Sequence, residues 1–375
     1  MKGAGWYFQI TLLLLTFLLA AELQAAELIR FDQYPRQEFF PARGEKFKIP
    51  FVLAGKAAVS IDLLSPDGEI IRRLRSGKPL DKGRHMLEWD GRDSDGTIVP
   101  NEAWIPVLHA RAGERTVTVD PRDTSGGEIV GVKLQKNDHR SYRYHLPVAA
   151  RVSIRAGIDG GPLLKVLADW EPHAAGNNIL YWNGFDADGL IDIRASGRQK
   201  LVIAAYRLPD YSIITSGNGK LDYRNWFQKK GWQLRPVNLA DVPLQRGKEA
   251  LSRHYYIPLL MNKSPRVSLR FKENLPLSDA GNPVVGEHVT IQVGMDNDSK
   301  WALQESRYEV GFFVDNTFVS EEEQGYVPLT WRWKPNNLAP GVHVLTVNIS
   351  GFRGQVGVKS LRFEILSRGK KGNAE

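Results

Sequence analysis

Three carboxylates, Asp90, Asp93 and Asp95, stand in one short loop. Hard oxygen ligands gathered in this way suit a calcium ion. No bidentate glutamate follows at the EF-hand distance, and Asp or Asn beside Gly is also what a tight turn needs. Turn chemistry is therefore the favoured expectation, and a calcium loop at Asp90, Asp93 and Asp95 is the alternative. Asp186 and Asp188, with Asn183, repeat the choice further on, and Asp296-Asn297-Asp298 is a weaker third case. A second constellation interleaves aromatic and basic residues: Trp226, Phe227 and Trp232 with Arg224, Lys229, Lys230 and Arg235. Exposed, these would stack sugar rings and attract an acidic polymer. Packed inward, they would cap a seam between domains, which is the favoured expectation. The eight histidines are scattered and none stands in H-E-x-x-H. No G-x-S-x-G elbow and no phosphate-binding loop occurs. The chain therefore reads as non-enzymatic, with no cofactor expected beyond the calcium alternative.

These loops sit in a frame that occurs twice without a gap, from Gly83 to Gly96 and from Gly176 to Gly189: G-x-x-[MI]-L-x-W-[DN]-G-x-D-x-D-G. A period of about 90 residues suits a whole β-sandwich better than a solenoid unit. In each copy an alternating strand comes first, Ala58–Leu63 and Ala150–Ala156, with a turn and a return strand behind it. Alternation puts Leu87 with Trp89, and Leu180 with Trp182, on one face, so both tryptophans are expected as core plugs rather than sugar platforms. Residues 113–131 read as a linker or as the first strand of the second copy. The stretch 209–262 is the least regular, with room for a short helix between Leu239 and Leu251. From Pro265 onward, alternating runs such as Arg266–Phe271, His288–Val293 and Tyr308–Val314 belong to a seven-strand pattern.

The two copies resemble the immunoglobulin-like domain of the flagellar hook-capping protein FlgD. The matching residues are Val59 and Ile61, or Val152 and Ile154, in the first alternating strand, Leu74 or Leu167 ending the return strand, and then the tryptophan block. The likeness covers roughly 45–110 and 140–206. Asn183 departs from the usual Asp, Ile191–Gly197 lacks a Pro-Gly-x-Tyr ending, and Pro100–Trp104 comes closer but lacks the glycine. Most of the flagellar protein has no counterpart, so the likeness implies a module and not hook assembly. The last domain is similar to bacterial immunoglobulin-like domains of surface proteins, through Glu309–Asn316, Pro328–Trp331 and Leu338–Val347. That likeness implies a spacer or binding module and a structural role for His343.

The expected fold class is all-β, three tandem immunoglobulin-like β-sandwiches behind an N-terminal signal peptide. Residues 1–26 form the signal, with Lys2, the apolar run Ile10–Leu19 and small residues through Ala26. The run is too short for a span of about 20 residues. The sandwiches are expected at 27–112, 113–208 and 263–368, with 209–262 as a linker or excursion and 369–375 as a disordered tail. Cysteine is absent, which excludes disulfides and cysteine acylation. A net charge of +8 permits anionic partners, while export argues against nucleic acid. The function expected is a non-catalytic scaffold of the cell envelope, periplasmic or at the surface, that binds a protein partner. The alternatives are a binder of carbohydrate or acidic polymer through 224–235, and a hydrolase with accessory sandwiches.

Overall fold

The computed structural model describes residues 28–34, 36–234, 237–303 and 307–367. The signal expected at 1–26, Arg235 and the tail at 369–375 lie outside the described residues. The chain is all-β, in three two-sheet sandwiches. None of the described helices is long and apolar enough to cross a membrane.

The first sandwich opens with β1 (Ile29–Phe31), β2 (Glu38–Phe39), β3 (Phe47–Leu53), β4 (Ala58–Leu64), β5 (Ile70–Arg75), β6 (Gly83–Trp89), β7 (Glu102–Ala112) and β8 (Arg115–Val119). One sheet runs β1-β3-β6, and the other holds β4 between β5 and β7. Alternation along β3 buries Phe47, Ile49, Phe51 and Leu53 against Val59, Ile61 and Leu63 of β4. Strand β8 pairs with β7, so 115–119 belongs to this sandwich and does not start the second copy.

The second sandwich comprises β9 (Gln135–Lys136), β10 (Ser141–Leu146), β11 (Ala150–Ile158), β12 (Leu163–His173), β13 (Gly176–Tyr181) and β14 (Gln199–Arg207), in sheets β13-β10-β9 and β12-β11-β14. Strand β11 is buried along nearly its whole length. Its Val152 and Ile154 face the core, and its other face is covered by neighbouring parts of the chain.

Residues 209–262 close the first sandwich rather than merely linking two others. Strand β15 (Ile213–Thr215) inserts between β2 and β7, parallel to the one and antiparallel to the other. Helix α1 (Tyr223–Lys229) begins at Asp222, whose side chain accepts from Asn225 N. It turns Tyr223, Trp226 and Phe227 into the core around Trp104. No helix forms between 239 and 251. That stretch holds the small hairpin β16 (Gln245–Arg246) and β17 (Glu249–Ala250), turned at Gly247 with φ +62°, where an L side chain is strained. Helix α2 (Leu259–Asn262) follows.

The third sandwich has seven strands: β18 (Val267–Phe271), β19 (Val289–Met295), β20 (Tyr308–Val314), β21 (Thr317–Glu322), β22 (Leu329–Trp333), β23 (Gly341–Gly351) and β24 (Val356–Ile365). Helix α3 (Asn297–Leu303) bridges its two sheets. The β20–β21 hairpin turns at Asp315 and Asn316, both left-handed, and β21 is an edge strand.

The repeated loops are built alike. Trp89 donates its indole N–H to Arg92 O, and Trp182 to Phe185 O, each at 2.9 Å. Asp90 accepts from Arg92 N, as Asn183 accepts from Phe185 N, which is why Asn can replace Asp here. Asp93 accepts from the backbone of Asp95 and Thr97, and Asp186 from Leu190 and Ile191. Both tryptophans are buried.

Gly91 has φ +73°, and a Cβ there would lie 2.2 Å from Pro41 Cβ, whereas Gly96, at φ +79°, faces open space. Gly96→Ala is expected to cost about 1–2 kcal/mol from backbone strain alone. Gly91→Ala should cost more, because Pro41 must also move. Midpoints of chemical unfolding for the two variants check the order.

Candidate functional site

A cleft of about 590 Å³ lies where the first and second sandwiches meet the segment leading to the third. One of its lining residues, Glu102, belongs to a buried ion pair. Glu102 at the start of β7 and Arg151 on β11 are each 3% exposed. The guanidinium donates to both carboxylate oxygens, at 2.6 and 3.2 Å, and to Trp170 O at 2.9 Å. Burial works against the charge on Arg151, but Glu102, with Tyr206 and Asp67, holds its pKa above the ordinary value. Ala103, Ala149, Leu208 and Ile214 pack beside the pair and keep the seam dry.

A bulge in β12 supplies the other wall. Val152 pairs with Glu171 and Ile154 with Ala168, so Asp169 and Trp170 together stand opposite Ser153 and β12 carries one extra residue. Trp170, at φ +54°, lends its carbonyl to Arg151 and lays its ring 4.3 Å from that of His254. Asp169 accepts from Ser264 N and Oγ at 2.8 and 3.0 Å, which anchors the segment entering the third sandwich. Glu38 accepts from Ser216 Oγ at 2.5 Å. Of the acidic side chains lining the cleft, Glu171 makes no hydrogen bond among the described residues. His173 bonds Tyr144 OH through Nδ1 at 3.0 Å, and burial holds its pKa below the ordinary value. Glu38, Glu102 and Asp169 thus hold segments together.

The three aspartates read as a calcium loop are not brought together as a metal site. Asp93 is buried, accepts from Trp226 Nε1 at 3.0 Å and pairs with Lys230 Nζ at 2.7 Å. Lys230 also reaches Asp95 at 2.5 Å. Burial raises the Asp93 pKa, and the bonds from Lys230, Trp226 and Thr97 more than reverse that. A lysine ammonium therefore stands where the cation would have to be. Asp90 caps its own turn. Among the described residues no three His, Asp or Glu side chains gather as a metal group. In the second copy, Asp188 pairs with Lys359 and accepts from Ser360 N at 2.7 Å. Asp296 caps α3 by accepting from Ser299 N at 2.7 Å.

The aromatic–basic stretch is likewise not an exposed platform. Trp226 and Phe227 are buried, and Trp232 packs edge-on to both. Arg224 is buried, donates to Leu260 O and lies 3.6 Å from Asp298. Lys229 remains exposed. The signal for this was present in the sequence: Asp222 as a cap, then Tyr223, Trp226 and Phe227 at helical spacing.

Sequence reasoning passed over Asp67. It sits in the β4–β5 turn and accepts from Leu259 N at 2.7 Å and Tyr223 OH at 3.0 Å, which fastens α1 and α2 to the first sandwich. Burial pushes its carboxyl up to about 6, against those two bonds and the charge of Arg151.

No family model matches this chain. The basal-body rod modification protein FlgD of Salmonella typhimurium is 33% identical over 63 residues, which are 17% of this chain and 27% of that protein. Its counterpart in Salmonella typhi matches to the same extent. Part of this chain is FlgD-like. It spans about a quarter of those curated relatives, 27% of their length. Among solved structures, FlgD from P. aeruginosa is 14% identical and covers 33% of this chain and 87% of its own, with a TM-score of 0.21. Trypsin-activated alpha-2-macroglobulin from Escherichia coli is 11% identical over 92% of this chain and 24% of its own, with a TM-score of 0.20. At these TM-scores neither superposition bears on how the sandwiches are arranged.

Breaking a buried pair strands a charge, at a cost of about 3–5 kcal/mol. Arg151→Met and Glu102→Gln should each destabilise by about that much, and the double variant by clearly less than the sum. Denaturant titration of the double-mutant cycle checks this. Asp67 has the opposite pH signature to the lowered aspartates. Its carboxyl rises from 3.8 in the unfolded chain to about 6 in the fold, so its favourable contribution is complete below 3.8 and lost as pH rises through 6. Relative to Asp67→Asn, the native chain should gain up to about 3 kcal/mol as pH falls through that window. Unfolding free energies of both proteins across the range test the sign.

Proposed function

We propose that this chain is an exported, non-catalytic scaffold of the cell envelope that binds a protein partner along the free edge of the third sandwich. The observation that carries the reading is strand β21. It has six residues and no neighbour on its outer side among the described residues, and it exposes Phe318 (53%) and Val319 beside Glu321 and Glu323. An open edge with apolar side chains is a template for strand addition by another chain. Two of the cleft's carboxylates, Glu102 and Asp169, join segments of the chain, which favours the same reading. The signal-like residues 1–26 support export, and the FlgD-like stretch supports a modular β protein rather than a hook component. Burial of Trp226 and Phe227 removes the support for polymer binding through 224–235.

The test is cross-linking of the chain in intact envelopes, followed by mass spectrometry, beside a Phe318→Asp/Val319→Asp variant. A protein cross-linked to β21 in the native chain should disappear from the variant while its unfolding midpoint holds. An undiminished partner would remove the edge from the proposal. Turnover of an envelope polymer by the purified chain would refute the non-catalytic reading altogether.

A further inference from the structure

We propose that the second sandwich carries a binding site for an acidic polysaccharide, in the groove beside Tyr181. The argument comes from comparing the two copies position by position. In the first copy, Glu88 faces Lys46 at 3.8 Å, and Arg92 donates to Gly96 O at 2.6 Å. The matching positions in the second copy are Tyr181 and Phe185, and Asn183 stands where Asp90 stood. The frame between them is unchanged, and so are the hydrogen bonds of its tryptophan. At this one surface the second copy has therefore lost two carboxylates and gained two aromatic rings.

The groove there has a volume of about 600 Å³. Tyr181 is 76% exposed, and neither its ring nor its hydroxyl has a partner among the described residues. A ring left in water in this way keeps a face free for stacking. Arg140 lines the same groove, and its guanidinium makes no hydrogen bond or ion pair among the described residues. Arg194 is held by Asp192 and by His139 O, at 3.0 and 3.1 Å, so its charge has a fixed position. Asn183 uses its oxygen to cap the turn, and its amide N–H groups have no partner among the described residues.

This combination fits a sugar acid. The apolar face of a pyranose ring stacks on Tyr181, its carboxylate meets Arg140, and a hydroxyl accepts from Asn183. A neutral sugar would leave Arg140 unsatisfied, and a simple anion would leave Tyr181 uncovered. The groove lies on a different sandwich from β21, so the site does not depend on the edge reading above.

Calorimetric titration of the full chain with a hexameric oligogalacturonate tests it, with maltohexaose as the neutral probe. Oligogalacturonate should bind. Tyr181→Ala and Arg140→Ala should each weaken it roughly tenfold, with unfolding midpoints unchanged because both side chains are exposed. Arg75→Ala, which removes an exposed charge from the first sandwich, should leave it intact. Equal loss from Arg75→Ala would reduce the effect to net charge and overturn the site. So would full binding by Tyr181→Ala, or equal affinity for maltohexaose. No binding of oligogalacturonate, with Tyr181→Ala instead removing an envelope protein partner, would reassign the groove to protein recognition.

Discussion

A guanidinium and a carboxylate lie out of water between two β-sandwiches, and the arrangement around them exists so that neither is left alone. The desolvation of Arg151 and Glu102 is recovered only if β7 and β11 meet in one geometry. That geometry needs three further conditions. Trp170 must turn its carbonyl to the guanidinium, which the bulge in β12 achieves. The rim must be dry, which Ala103, Ala149, Leu208 and Ile214 provide. Strand β15 must sit against β7, where Thr215 accepts from Glu102 N and Trp104 Nε1. The pair stabilises little by itself, but it makes other orientations of the two sandwiches expensive.

The repeated loop shows how one local motif serves two tertiary ends. In both copies a tryptophan, an Asx cap and a buried aspartate close the loop, the tryptophan and the cap with matching backbone bonds. The remaining acidic capacity then receives whatever part of the chain arrives. In the first copy that is α1, through Trp226 and Lys230. In the second it is the third sandwich, through Lys359 and Ser360 N at Asp188. A turn that carries negative charge at its tip is a suitable landing place for an ammonium or a backbone N–H. Here it receives other parts of the same chain.

The segment 209–262 follows from the same logic. Polar residues outnumber apolar ones along much of it, so it looks like a linker. It is nevertheless held at many points: β15 in the sheet, Tyr223, Trp226 and Phe227 in the core, Leu259 on Asp67, and Ser264 on Asp169. Asp67 marks where this closure is electrostatically uneasy, since its carboxylate is kept with only two donors while burial favours the proton.

Periodicity made the strands legible, because a half-buried strand must alternate and a turn must carry Gly, Asp, Asn or Pro. It made the repeat legible too, since the Trp-Asx-Gly loop needs those side chains for its own local bonds. The helical face of Tyr223, Trp226 and Phe227 was present in the sequence, but the irregular stretch offered room for a helix at 239–251 instead. What the sequence could not decide was which side chains meet across the fold. Asp93 with Lys230, Glu102 with Arg151 and Asp169 with Ser264 are far apart in the chain, and no local rule selects them. Their pairing depends on how whole sheets dock. Carboxylates that could be read as calcium ligands in one dimension are, in three, joints of the molecule.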